Sequence, residues 1–188
     1  ETESFARHAA SGDRRRGRLR ELLRHPRELA TVAGLTMGGT LAFYTFTVYM
    51  QKFLVNTVGF AKDLATLVSA ASLVGFMLLQ PVVGALSDRI GRRPILVAFG
   101  VAGTLGTVPL MSRLESAQGP WEALALILLA LAVVSGYSSI NAVVKAELFP
   151  VEVRALGVGL PYAITVSLFG GTAEYVALWF KQAGNEAG

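Results

Sequence analysis

The chain contains no cysteine and only two histidines, His8 and His25, among its 188 residues. No disulfide framework, thiolate nucleophile or zinc cluster can be assembled from such a set. Both histidines fall in the charged N-terminal segment, so no metal ligand is assigned. Charge is also scarce, with 16% Asp, Glu, Lys and Arg against 53% hydrophobic residues, and the mean hydropathy is +0.51. That balance describes a membrane protein rather than a water-soluble globular domain. Nucleotide signatures are missing too. GVAGTLG at 100–106 does not space its glycines as a dinucleotide fingerprint, and no lysine-bearing phosphate loop or serine, histidine and acid arrangement occurs. The chain is therefore not expected to be an enzyme, and it calls for no cofactor. It opens at Glu1 with no signal-peptide order, which leads to the expectation of a piece cut from a longer protein.

What is present is a series of long apolar runs. A helix needs about 20 such residues to cross a hydrocarbon core about 30 Å thick. Five spans are expected, at about 29–53, 65–86, 95–111, 121–144 and 156–180, the third being the shortest. No alternating pattern of a membrane barrel is visible, so the fold class is an all-α membrane protein. Residues 1–27 form a basic arm, 28–182 the bundle and 183–188 a tail.

Lys and Arg are distributed unevenly about these spans. With the N-terminus cytoplasmic, thirteen of the seventeen fall on the inner side: eight arginines before the first span, Arg89, Arg92 and Arg93 after the second, and Lys145 with Arg154. Positive residues near span ends are retained on the cytoplasmic side, so this orientation is expected. A basic arm such as DRRRGRLRELLRHPRE also suits nucleic acid in principle. Directly before a span, however, it fixes topology and touches anionic lipid headgroups, so no nucleic-acid partner is expected. Leu19, Leu22 and Leu23 supply one apolar stripe, expected to lie on the membrane as a short helix ending near Pro26.

Between the second and third spans lies a small charged island, GALSDRIGRRP, at 84–94. A positive-inside hairpin would account for its arginines, but not for Asp88 and both glycines at these spacings. Gly84 is expected to let a helix approach its neighbour closely, and Pro94 suits a first helical turn. The pattern of Gly84, Leu86, Asp88, Arg89, Gly91, Arg92 and Arg93 resembles the signature loop of the major facilitator superfamily. ELFPVEVRALG, with Glu147, Pro150, Glu152, Arg154 and Gly157, is similar to a second loop of that superfamily. The resemblance implies a cytoplasmic latch of salt bridges among Asp88, Arg92, Arg93, Glu147 and Arg154, closed while the cavity faces outward. It also implies two six-helix halves, of which this chain would be about five helices of the C-terminal one. The missing N-terminal half is then its partner. FYTFTVYMQKFLVNTVG, SSINAVVKAELFP and FGGTAEYVALWF resemble the metabolite:proton symporters, and most closely the α-ketoglutarate permeases as a group. A small organic acid and a proton are the implied cargo, and a bacterial inner membrane the implied location. A non-transporting sensor on the same scaffold, or a symporter for another organic acid or osmolyte, is the alternative.

Polar side chains inside apolar helices mark pathways or interhelical bonds. Thr36, Thr40, Tyr44, Thr47 and Gln51 are spaced to share one face of the first span, and of these Tyr44, Thr47 and Gln51 are pathway candidates. Tyr137, Asn141 and Lys145 recur every four residues in the fourth span. The first two suit hydrogen bonds to a carboxylate, and Lys145 is either a gate charge or a positive-inside marker. Glu174 in the fifth span is a candidate proton carrier or external gate. Gly34, Gly38, Gly100, Gly103 and Gly106 are expected to be close-packing positions. No arginine lies deep in any span, so the main anion-binding cation is expected in the missing half.

Overall fold

The computed structural model describes residues 19–172 together with Tyr175, Val176 and Trp179. All regular structure among the described residues is helical. A short helix α1, Leu19–Leu22, leads into α2, Pro26–Tyr44, where Pro26 occupies the first turn and its missing N–H costs nothing. α2 continues through a π-helical turn, Thr45–Tyr49, into α3, Met50–Asn56. Then come α4, Lys62–Ile90, and α5, Arg92–Glu115. They are followed by α6, Pro120–Ser138, α7, Asn141–Glu147, and α8, Arg154–Thr165, which runs into a second π turn, Val166–Gly170.

Four rods are long and apolar enough to cross a membrane: Pro26–Asn56, Lys62–Ile90, Arg92–Glu115 and Pro120–Glu147. Arg154–Gly170 is a shorter apolar helix, and much of the expected fifth span lies outside the described residues. The rods run past the hydropathy boundaries at both ends. Thus α5 starts at Arg92 and reaches Glu115, because arginines at helix ends extend their charge to water while their stems stay on the helix.

The layout follows from α6. It is the most apolar rod, with mean hydropathy 2.2 in its strongest stretch, half of which is buried. A helix that is apolar all round belongs at the centre, and α4 and α5 flank it along its length while α2 meets a third side. By contrast only 11% of the equivalent stretch of α5 is buried. Its Val97, Val101, Leu105 and Val108 are each more than half exposed, an outer stripe that hydrocarbon rather than water accommodates. The core joins Phe53 and Leu54 of α3, Phe76 of α4, Leu114 of α5, and Ile127 and Leu131 of α6.

Two expectations are corrected here. Leu22 is not lipid-facing: it is buried with Val32, Phe149 and Val153, so α1 is tied to the loop after α7. Nor, among the described residues, do the glycines chosen by spacing mediate close contact, since a Cβ on Gly34, Gly38, Gly84, Gly100, Gly103 or Gly106 would meet none of them within 4 Å. Close approach occurs instead at Gly39 against the Tyr137 ring, Gly75 against Leu128, Gly157 against Phe149 and Gly170 against Thr40 and Tyr44. Four-residue spacing puts two glycines on one face without saying which face has a neighbour.

Candidate functional site

The charged island is almost wholly helical. α4 runs to Ile90, α5 begins at Arg92, and the reversal is made by Gly91 alone, at φ 92° and ψ 160°. Only glycine adopts that backbone readily. The turn brings the start of α5 beside the end of α4. Arg92 donates through Nη1 to Asp88 Oδ1 at 3.2 Å, and through Nε to Glu147 Oε1 and Oε2 at 3.1 and 3.3 Å. One guanidinium therefore joins three helix ends, α4, α5 and α7, across 55 residues of sequence. A planar fork can serve two carboxylates at once, which a lysine cannot do with the same geometry.

Other members of the expected latch stand apart. Arg93 is exposed, as is Arg89 of the signature loop, and no carboxylate among the described residues pairs with either. Arg154 is a correction: its Nε donates to the Phe149 carbonyl at 3.2 Å, so it ties its own loop and does not reach the island. The loop between α7 and α8 spans only six residues, which keeps that carbonyl within its reach.

A second cluster lies where α2, α6, α7 and α8 meet. The helix breaks at Ser139 and Ile140, where Asn141 Nδ2 donates to the Ser138 carbonyl at 2.8 Å, and then resumes as α7. Across the break Lys145 Nζ reaches back to the Tyr137 hydroxyl at 2.9 Å and to Asn141 Oδ1 at 3.4 Å. The same ammonium lies 4.7 Å from the ring centroid of Tyr162 and 5.2 Å from that of Tyr137. Lys145 is 1% exposed. Tyr137 is fixed from three sides: it stacks on Phe99 with centroids 5.5 Å apart, abuts Gly39 of α2, and is within hydrogen-bond reach of buried Thr36.

The expected polar face of the first span does not hold together. Thr36 and Thr40 face α6 and α8, and Tyr44 packs on Gly170. The π turn then inserts an extra residue, rotating α3 by about 100° relative to α2. Thr47 donates to the Phe43 carbonyl of its own helix, as Thr36 does to that of Val32, and Gln51 Nε2, on the rotated segment, donates to Thr66 Oγ1 of α4 at 2.8 Å. Glu174 lies outside the described residues.

Two residues escaped sequence reasoning, and a third was legible without its role. Gly39 showed no sign of its role, being one of several glycines. Tyr162 is legible only as a polar residue of the fifth span, below Glu174. Gln80 accepts from Ser138 Oγ at 3.0 Å, linking α4 to α6; a lone amide in the run LVGFMLLQPVV was the available signal.

The comparisons with known proteins bear on the whole arrangement. The family model described as Major Facilitator Superfamily matches residues 19–173. The chain is 50% identical over 170 residues to the alpha-ketoglutarate permease of Escherichia coli K12, covering 90% of this chain and 39% of that protein. It is 32% identical over 159 residues to an ectoine/proline transporter of Corynebacterium glutamicum, covering 84% and 31%. Against the citrate-proton symporter of Klebsiella pneumoniae it is 30% identical over 148 residues, covering 78% and 33%. The chain thus spans two fifths or less of the length of these relatives. No solved structure matches it. With four membrane-length rods, the Gly84–Arg93 loop at a one-residue turn and a family match over most of its length, this chain is an integral, multi-pass membrane protein and belongs to the Major Facilitator Superfamily.

Proposed function

We propose that the chain forms the C-terminal half of a secondary active transporter that carries a small carboxylated metabolite, α-ketoglutarate foremost, together with a proton. One observation carries the reading: half of the aligned residues, across 90% of the chain, are identical to those of an α-ketoglutarate permease. The citrate-proton symporter among its relatives is in keeping with a proton-coupled organic acid. The membrane is a bacterial inner membrane, with the arm at 1–27, Gly91 and Glu147 on the cytoplasmic side; the placing of thirteen of the seventeen Lys and Arg on that side supports this orientation. Tyr44, Tyr137 and Asn141 line the route. No chemical conversion of the cargo is assigned.

Reconstituted with its partner half, the transporter should accumulate labelled α-ketoglutarate when the outside is acidified, and only equilibrate it without the gradient. Saturable binding without flux would replace transport by sensing. Stronger competition from citrate or ectoine than from unlabelled α-ketoglutarate would reassign the substrate.

The Arg92 node acts as a latch on the alternation between inward and outward states. Its side chains are partly exposed, Arg92 at 31%, Glu147 at 57% and Asp88 at 70%, so each bond is weak and the three act by biasing a balanced equilibrium. Arg92→Gln, Glu147→Gln and Asp88→Asn should each shift labelling of a cysteine placed at Ala146 on the order of threefold toward the inward-open state, with ground-state substrate affinity little changed. The Arg92 and Glu147 substitutions should not add in the double variant, because both remove one bond. Full additivity, or labelling equal to the parent, would refute the latch. This chain contributes no competing cysteine to the measurement.

A further inference from the structure

The least expected group in the bundle is the Lys145 ammonium. At 1% exposure it is among the largest fully buried side chains of the described residues. Among the described residues, everything around Nζ is neutral: a phenol, an amide oxygen and two ring faces. No described carboxylate lies within 4 Å, and the nearest in sequence, Glu147, is committed to Arg92. A charge withdrawn from water is costly unless it is paired, and ring faces recover only part of that cost. An ammonium has three N–H donors, of which Tyr137 and Asn141 take two. The third is available, and the missing partner is an anion.

The geometry of the enclosure says how an anion would arrive. Tyr137 is 5% exposed and held by Phe99 and Gly39, so that wall is fixed. Tyr162 is 45% exposed and belongs to a different helix, α8, so it is the wall that can yield. Displacing its ring opens Nζ while Tyr137 and Asn141 keep the ammonium aimed.

We propose that Lys145 is a carboxylate-binding cation of the transport route, seated in this half, with Tyr162 as its displaceable cover; this rests on the organic-acid reading above. It replaces the expectation that the main anion-binding cation lies in the other half. A cargo carboxylate takes the third N–H and neutralises the buried charge, so the occluded state is more stable loaded than empty. Asn141, within hydrogen-bond range of Nζ, sets which neutral partner the ammonium keeps when the cargo leaves.

The test uses the intact transporter, with calorimetric binding in detergent and flux in proteoliposomes, and with α-ketoglutarate, succinate and the neutral dimethyl ester of α-ketoglutarate as probes. Lys145→Gln should weaken binding of both dicarboxylates at least about tenfold, as expected for losing a hydrogen bond to a charged group, and leave the ester unaffected. Lys145→Arg should recover part of the loss. Should the glutamine variant not fold, Asn141→Asp supplies a built-in counter-ion beside Nζ and should weaken dicarboxylate binding similarly while keeping the site neutral. Unchanged dicarboxylate affinity in whichever of these two variants folds overturns the inference, as does equal weakening for acid and ester, which would mean a structural lysine. Binding that depends on Lys145 without flux overturns only the transport reading. A parent that binds no carboxylate overturns both.

Discussion

Gly39→Ala is expected to remove most transport and to lower the melting temperature of the detergent-solubilised protein. A Cβ at this position would lie 2.1 Å from Cε1 of Tyr137 and 2.3 Å from its Cδ1 and Cζ. Such contact is relieved only by movement, and the ring has nowhere to go. It is stacked on Phe99, it is 5% exposed, and its hydroxyl receives the bond from Lys145. Either α2 withdraws from α6, or the phenol leaves the ammonium. Overpacking of this kind costs about 1–3 kcal/mol, and the second route also dismantles the carboxylate site proposed at Lys145. Gly34→Ala is the matched control on the same helix, since its Cβ meets nothing within 4 Å and alanine favours the helix. Uptake and melting temperature should therefore separate the two variants. Identical behaviour would mean that α2 and α6 do not approach each other this closely.

The second large effect is at Gly91. Here space is ample, the nearest atom to a new Cβ being Pro94 Cδ at 3.8 Å, so the cost of Gly91→Ala is one of backbone conformation. At φ 92° and ψ 160° a side chain is strained by about 1–3 kcal/mol. Relief requires the turn to change, and Arg92, the next residue, then loses its aim at Asp88 and Glu147. Gly84→Ala, seven residues earlier in the same motif, should do the opposite. It sits inside α4 with no neighbour within 4 Å, so an added methyl reduces chain entropy in the unfolded state and stabilises by up to about 1 kcal/mol. Thermal unfolding of the two variants should show shifts of opposite sign; shifts of the same sign would argue against the one-residue reversal.

That two glycines of one motif carry opposite expectations marks the limit of reading in one dimension. Transfer from water to hydrocarbon adds residue by residue, so the order of apolar runs and positive charges along the chain was enough for an all-helical, multi-pass membrane protein. The Gly84–Arg93 loop was legible for the same reason, because its pattern lies within ten consecutive positions. Which way each helix faces is a different kind of quantity. Gly34 and Gly39 differ by little more than one turn of α2, yet only Gly39 meets Tyr137, and that depends on where α6 stands a hundred residues later. Gln51 left the expected stripe because a π turn rotated it toward Thr66, and nothing in TFTVY announced that turn.

Lys145 shows the contrast most fully. Counted along the chain it is a positive residue near a helix end, either a gate charge or a positive-inside marker. Its burial comes from the break at Ser139 and Ile140, from Tyr137 held in place by α2 and α5, and from α8 folding back to lay Tyr162 over the ammonium. The chain alone determined the solvent, the helices and the charges at their ends, because those are sums over neighbouring residues. Only the packed bundle decided which glycine is crowded, which arginine bridges and which lysine loses its water, because each depends on several helices meeting at one point.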